Sequence, residues 1–78
     1  MRKLFCDQLR SERKKRGMTA QELADMCGIS RSYVTLIENG ARMPGKTIIP
    51  LIAKSLKLKK AVVLSWYLED IRIKMISD

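Results

Sequence analysis

The sequence has no histidine and only two cysteines. Histidine is the commonest catalytic base and metal ligand, so its absence removes the usual starting point for acid–base catalysis and zinc binding. Cys6 and Cys27 are too few for a disulfide scaffold and lack the CxxC spacing of zinc sites. The chain also has no P-loop and no paired carboxylates that suggest a cleft. We therefore expect no metal, no cofactor and no enzymatic activity.

Long apolar runs are absent as well. No stretch approaches the ~20 apolar residues that a membrane-spanning helix needs. The first seven residues carry charge without the apolar run of a signal peptide. These absences predict a cytoplasmic protein without membrane contact, whose thiols are reduced and whose Cys27 is a small buried residue.

Acidic residues are half as frequent as basic ones. Sixteen Lys/Arg against eight Asp/Glu give a net charge of +8, which favours a polyanionic partner. Residues 1–60 carry fourteen Lys/Arg and five Asp/Glu, whereas residues 61–78 are nearly neutral and mostly apolar. This contrast predicts a basic binding module followed by an association element at about 61–78.

The length of 78 residues predicts a single domain, 1–78. A core of this size stabilises a fold by only a few kcal/mol. We therefore expect the chain to gain further stability by forming a homodimer.

Apolar residues recur at intervals of three and four, which is helical spacing. Glycine and proline separate five such segments and predict helices at about 4–16, 20–27, 31–39, 48–57 and from 60 onward. Thr19 and Glu22 match a capping box, and Ser30 and Thr47 are predicted to cap the third and fourth helices. The pattern predicts an all-α fold of five helices, the last of which serves dimerisation.

The last helix carries two apolar stripes. One of them is expected to face the core and the other a partner. Residues 71–75 also alternate with period two, which leaves a short strand paired across a dimer as an open alternative. The stripes are Leu64-Leu68-Ile71-Met75 and Val62-Trp66-Ile73.

The turn Cys27-Gly28-Ile29-Ser30 joins the second and third helices, which form a helix-turn-helix at about 20–39. Gly28 allows the chain to reverse sharply, and Ile29 is expected to enter the core. Ala24 is small, so the two helices can approach closely. The third helix, 31–39, would then present its N-terminal side chains to a major groove, whose width admits one helix.

Four runs of the sequence can be compared with known families: RGMTAQELA at 16–24, GISRSYV at 28–34, IENG at 37–40, and LIAKSL at 51–56 in the fourth helix. Together these runs resemble the phage-repressor and Cro-like (XRE) family of DNA-binding proteins. The resemblance covers roughly residues 4–64, and the short length and apolar last helix of the chain look most like restriction–modification controller proteins. The resemblance implies a compact five-helix domain and a bacterial or phage-encoded, nucleoid-associated transcription regulator. Such a regulator would bind double-stranded DNA as a homodimer on an inverted repeat.

The resemblance also implies roles for individual residues. Arg31 would donate two hydrogen bonds to a guanine, and Glu38 would form a structural ion pair with Arg13. The implied base-contacting residues are Arg31, Ser32, Tyr33, Thr35 and Leu36. The implied phosphate-contacting residues are Thr19, Ala20, Gln21, Asn39, Arg42 and Lys46.

Three positions depart from the family pattern. Ala20 stands where the family usually has glutamine, so a side-chain phosphate contact is not expected there. Leu36 replaces a polar residue, and it would either read a thymine methyl group or turn inward. Lys57 replaces the glycine that commonly closes the fourth helix, which predicts a lysine in a left-handed conformation.

The association element contains candidate residues for the dimer interface. Large aromatic residues are common at interfaces, so Val62, Trp66, Tyr67 and Ile73 are predicted to contact the partner. An alternative function is an antitoxin-type module that binds a toxin-like protein and regulates its own gene. Contact with RNA polymerase and the choice between repression and activation are open at this point.

Overall fold

The structure, a computed structural model, describes residues 4–76. This part of the chain is all helical and contains no strand, so the predicted all-α five-helix fold is confirmed. Residues 71–75 belong to the last helix, and the alternative of a terminal strand is therefore wrong. The helices are α1 (Phe5–Lys15), α2 (Ala20–Cys27), α3 (Arg31–Glu38), α4 (Ile48–Ser55) and α5 (Lys60–Ile76).

Most of the predicted helix ends are present in the structure. Thr19 and Glu22 form the reciprocal capping box of α2, and Ser30 caps α3. Lys57 has a φ of 56°, so the predicted left-handed lysine follows α4. Thr47 precedes α4 but forms no side-chain cap, and that prediction is wrong because its backbone is already helical.

The helices enclose one apolar core. α2 packs against α3 and α4, while α1 packs against α3 and α5. None of the helices in residues 4–76 has both the length and the apolar character needed to cross a membrane. The largest fully buried apolar side chains are Phe5, Leu9, Leu23, Ile37, Ile52, Leu56, Val34 and Val63.

The stripe of α5 that faces the core is neither of the two predicted stripes. Val63, Trp66 and Asp70 are its buried residues. The Trp66 ring meets the Phe5 ring edge-on, with centroids 6.0 Å apart, and Trp66 is only 9% exposed. The assignment of Trp66 to a partner interface is therefore corrected, because its own chain already covers it. Residues 77–78 of the predicted association element lie outside the described residues.

Asp70, a residue of α5, caps the N-terminus of α1. Leu4 precedes α1 and offers no side-chain cap. The Phe5 N–H instead donates to Oδ2 of Asp70 at 2.8 Å, and Nζ of Lys74 lies 2.9 Å from Oδ1. This contact attaches α5 to the start of α1, and so to the helix that supports α3.

Candidate nucleic-acid interface

The turn between α2 and α3 sets the angle of the helix-turn-helix. Gly28 has a φ of 67° and closes α2 in the left-handed region. The Ile29 N–H donates to the Ala24 carbonyl at 3.0 Å, and the half-buried Ile29 side chain packs on the core. Ala24 is completely buried, as the close approach of the helices requires. These contacts hold α3 rigidly relative to α2.

One face of α3 is buried and the other is free. Ser30 Oγ accepts the Tyr33 N–H at 3.1 Å and starts the helix. Val34, Ile37 and Glu38 are buried. Because these residues recur at helical spacing, the residues between them point away from the core.

Four of the five predicted base-contacting residues line one shallow depression of about 440 Å³: Arg31, Ser32, Thr35 and Leu36. Leu36 is 41% exposed, so it has not turned into the core. The Thr35 hydroxyl donates to the Arg31 carbonyl at 3.1 Å. Arg31 forms no ion pair within residues 4–76, which leaves its guanidinium available to an external acceptor.

Tyr33 is the exception among the five. Its half-buried ring lies beneath the Arg42 guanidinium, whose central carbon is 5.5 Å from the ring centroid. The Gly45 N–H donates to Tyr33 Oη at 3.4 Å. The contacts of Tyr33 are thus with the loop that follows α3, and it does not line the depression.

The first predicted phosphate site, at the start of α2, is built from backbone rather than side chains. Thr19 Oγ1 accepts the Glu22 N–H at 3.0 Å, and Glu22 Oε1 accepts the Thr19 N–H at 2.9 Å. Gln21 Nε2 donates to Asp25 Oδ1 at 2.9 Å, and Ala20 is half-buried. The N–H groups of Ala20 and Gln21 have no acceptor inside the helix and face outward at its positive end.

The second predicted phosphate site lies in the loop after α3. Asn39 and Arg42 are exposed there, and Arg42 is oriented by the Tyr33 ring. Lys46 is also exposed, but it lines an apolar groove between α4 and α5. Arg42 therefore lies close to α3, whereas Lys46 lies at the end of the loop and also lines the groove between α4 and α5.

Arg13 and Glu38 form the predicted ion pair. Arg13 Nε and Nη2 donate to the two Glu38 carboxylate oxygens at 2.7 and 2.9 Å, and Arg13 Nη1 donates to the Met18 carbonyl at 2.7 Å. Hydrogen bonding to Glu38 raises the pKa of Arg13 above its ordinary value, against the opposing effect of burial. The pair connects α1 to the end of α3 and so fixes the exposed face of α3.

Sequence reasoning missed two further hydrogen bonds from arginines of the first helical segment to backbone carbonyls. Arg10 donates to the Glu38 carbonyl, and Arg16 Nε donates to the Leu56 carbonyl at 2.9 Å. The spacing of Arg10 and Arg13, one turn apart on α1, is the signal that could have indicated a shared partner. No comparable signal marks Leu56, since its backbone carbonyl is the acceptor.

Metal chemistry has no site in the described residues. No three Cys, Asp or Glu side chains come together in residues 4–76 in a group that could hold an ion.

Comparison with known proteins decides the family. The model of a family described as Helix-turn-helix matches residues 9–63, which include the whole of α2, α3 and α4. The chain belongs to the XRE-type helix-turn-helix family. The resemblance found in the sequence is thereby confirmed.

Curated members of the helix-turn-helix family resemble the chain over most of its length. The transcriptional regulator ClgR of Mycobacterium tuberculosis (strain H37Rv) is 33% identical over 64 residues, which is 82% of this chain and 57% of ClgR. The uncharacterized HTH-type transcriptional regulator YqaF of Bacillus subtilis (strain 168) is 38% identical over 48 residues, 62% of this chain and 63% of YqaF. The chain thus spans less than two thirds of either relative.

Solved helix-turn-helix structures share the fold. The restriction-modification controller protein C.AhdI of Aeromonas hydrophila superposes with a TM-score of 0.72 at 30% identity, covering 76% of this chain and 89% of C.AhdI. A mutant of the controller protein C.Esp1396I also gives 0.72, at 24% identity, covering 86% and 87% of the two chains. The second likeness concerns the fold alone.

Proposed function

We propose that this chain is a sequence-specific DNA-binding transcription regulator that reads an inverted-repeat operator as a homodimer. The observation that carries the proposal is the depression on α3, where four side chains are exposed while the Arg13–Glu38 pair and the core fix the opposite face. A single helix fits the major groove of B-DNA, and its N-terminal side chains reach the base edges. The relatives are named as transcriptional regulators, which supports a role in transcription regulation for this chain.

Each side chain in the depression has a distinct role in this proposal. Arg31 donates two hydrogen bonds to guanine O6 and N7, the commonest specific contact. Ser32 both donates and accepts. The Thr35 hydroxyl proton is already used within α3, so Thr35 offers its methyl group. Leu36 packs against a thymine methyl.

Phosphate contacts position the reading helix. The Ala20 and Gln21 N–H groups bind one phosphate at the start of α2. Arg42, held over the Tyr33 ring, binds another on the opposite side of α3, with Asn39 beside it. Lys46 adds charge at the edge of the same loop.

The proposed homodimer uses the groove of about 340 Å³ between α4 and α5. Leu64 and Leu68 are 41% and 56% exposed, and Tyr67 lies between them. Of the four residues that the sequence indicated for this interface, Tyr67 alone lines the groove. At about 100° per residue, Val62 and Ile73 fall on the other flank of α5. A second copy of the chain covers the apolar groove, and an antitoxin-type module would place a toxin-like protein there instead.

Selection of DNA from a random pool tests the proposal. Wild-type protein is expected to enrich a two-fold symmetric site whose half-site centres lie ~10 bp apart. Arg31→Ala, selected in parallel, is expected to lose preference at one matching position in each half. No enrichment by the wild type above salt-sensitive background would contradict the proposal.

A further inference from the structure

Most of the positive charge lies away from the depression on α3. The recognition surface, defined as the depression with the start of α2 and the loop 39–46, has three cations. They are Arg31, Arg42 and Lys46. The exposed Glu22 at the start of α2 carries the opposite charge, and the exposed Asp25 follows three residues later on the same helix. A surface with so little net charge releases few counterions when it meets DNA, although phosphate neutralisation supplies much of the affinity of such complexes.

A second surface, here named the end surface, holds six cations. It consists of the last residues of α1, the end of α4 and the segment that joins α4 to α5. The Arg16 Nε donates to the Leu56 carbonyl at 2.9 Å and brings the two segments together. The six cations are Lys14, Lys15, Arg16, Lys54, Lys57 and Lys59, all exposed.

The end surface is nearly free of opposing charge. Glu12 lies 2.6 Å from Arg16 Nη1 and 3.9 Å from Lys15 Nζ. The other lysines of the end surface form no ion pair within residues 4–76. Lys14, Lys54, Lys57 and Lys59 are therefore exposed without a paired acid, which raises the positive potential of the end surface.

Lys57 stands at the position that closes α4. Its φ of 56° is the left-handed conformation in which a side chain is penalised and glycine is not. The Leu58 N–H donates to the Ala53 carbonyl at 2.8 Å across this turn, so the helix end requires the conformation, and a lysine there adds a cation to the end surface. In this position Lys57 directly follows Leu56, whose carbonyl holds Arg16.

The end surface adjoins the predicted phosphate site of α2. Residues 17–18 alone separate Arg16 from Thr19, and Arg13 Nη1 fixes this link through the Met18 carbonyl at 2.7 Å. A phosphate bound at the first N–H groups of α2 would therefore lie within one short link of the end of α1.

We propose that the end surface binds the phosphates of the same duplex beyond the half-site that α3 reads. The inference rests on the proposed function, since it extends the DNA interface outward from α2. It assigns to these lysines a contact without base preference, which lengthens the footprint and raises the affinity for any sequence.

The salt dependence of binding to a random-sequence duplex of about 40 bp tests this inference. Binding is measured by fluorescence anisotropy between about 50 and 200 mM salt. For Lys54→Gln/Lys57→Gln, the slope of log K against log salt is expected to flatten by about 2 per bound protomer. The matched control, Arg72→Gln/Lys74→Gln, removes the same charge from the far end of α5 and is expected to keep the wild-type slope. Equal slopes for the two double variants would overturn the inference.

Lys57→Gly separates binding from folding. Relief of the left-handed strain is expected to raise Tm, while loss of the charge lowers DNA affinity. A more stable protein that binds DNA less tightly supports the inference. A more stable protein that binds like the wild type would overturn it.

Two further comparisons identify the duplex that the end surface contacts. Shortening the duplex to about 18 bp is expected to abolish the difference between Lys54→Gln/Lys57→Gln and the wild type, because the flanking phosphates are gone. Capture of two differently labelled duplexes in one complex would instead assign the end surface to a second duplex and overturn the proposal. Wild-type protein that binds no duplex would overturn the proposed function as well, whereas intact wild-type binding with unaffected variants overturns this inference alone.

Discussion

Asp70 accepts a hydrogen bond from the Phe5 N–H at 2.8 Å across 65 residues of sequence. This contact makes α5 part of the support of α3, because α1 carries Arg13 and Arg13 holds Glu38 at the end of α3. One face of α5 packs on the core, while Leu64 and Leu68 on its flank are exposed.

Asp70→Ala is expected to lower the free energy of unfolding by ~1–3 kcal/mol, because the Phe5 N–H loses its acceptor in a buried place. Urea denaturation measures the change. Arg72→Ala is the control, since Arg72 is exposed on the same helix and its surface pair with Glu69 contributes at most ~1 kcal/mol. Equal losses in the two variants would show that Asp70 is not the cap of α1.

The Arg13–Glu38 pair predicts a non-additive double variant. Arg13→Met or Glu38→Leu alone is expected to cost ~3–5 kcal/mol, since each leaves a charge buried without its partner. The double variant Arg13→Met/Glu38→Leu is expected to be more stable than either single variant. The free energies of unfolding of the four proteins form a double-mutant cycle, and simple additivity in that cycle would refute the argument.

Cys27 predicts a loss of stability at alkaline pH. Burial raises the pKa of the Cys27 thiol, against a smaller lowering by Ser55, whose Oγ lies 3.3 Å from Sγ. The unfolded chain therefore releases the proton first, so the contribution is complete below the unfolded pKa of ~8.5 and declines as pH rises above it. The difference in unfolding free energy between wild type and Cys27→Ala is expected to shrink from pH 8 upward. A difference that does not vary with pH would contradict the prediction.

Leu68→Lys is expected to prevent dimerisation without unfolding the chain. Leu68 is largely exposed in the single chain, so the change removes little intrachain packing but puts a charge into the apolar groove. Analytical ultracentrifugation should show a monomer, and circular dichroism an unchanged helix content. Val62→Lys, also exposed on α5 but on the flank away from the groove, is the matched control. A dimeric Leu68→Lys protein would place the interface elsewhere.

Arg31→Ala and Arg42→Ala are expected to differ in how they depend on DNA sequence. Loss of Arg31 should cost ~1–3 kcal/mol on the selected operator and little on a scrambled duplex, because it removes a base contact. Loss of Arg42 should weaken both complexes equally, because it removes a phosphate contact. Dissociation constants at one salt concentration measure both effects. If Arg31→Ala bound the operator like the wild type, the choice of reading residues would be wrong.

Local sequence signals are sufficient to predict the helix-turn-helix. The Thr19–Glu22 box, Gly28 and Ser30 act within a few residues of themselves, so their pattern predicts where α2 and α3 begin and end. Periodicity then predicts which face of α3 is exposed. Leu36 was undecided between an inward and an outward position, and the structure places it outward, beside Arg31.

Contacts between distant segments could not be predicted in this way. Two apolar stripes on α5 satisfied the helical period equally, and only packing against Phe5 placed Trp66 in the core. The resemblance implies a base contact for Tyr33, whereas nothing local marks the hydrogen bond that its hydroxyl accepts from Gly45, twelve residues later. Whether a side chain is buried, and which group it contacts, depends on the segments that lie next to it in the folded chain and not on its spacing in the sequence.

The chain's order of residues thus determines its five helices, the turn between α2 and α3 and the type of side chain on the exposed face, since each depends on neighbours within one or two helical turns. Tertiary packing decides the rest. It joins Arg16 to Leu56, Arg13 to Glu38 and Phe5 to Asp70. The physical reason is that a buried donor or acceptor must find a partner wherever the folded chain brings one, at any separation in sequence.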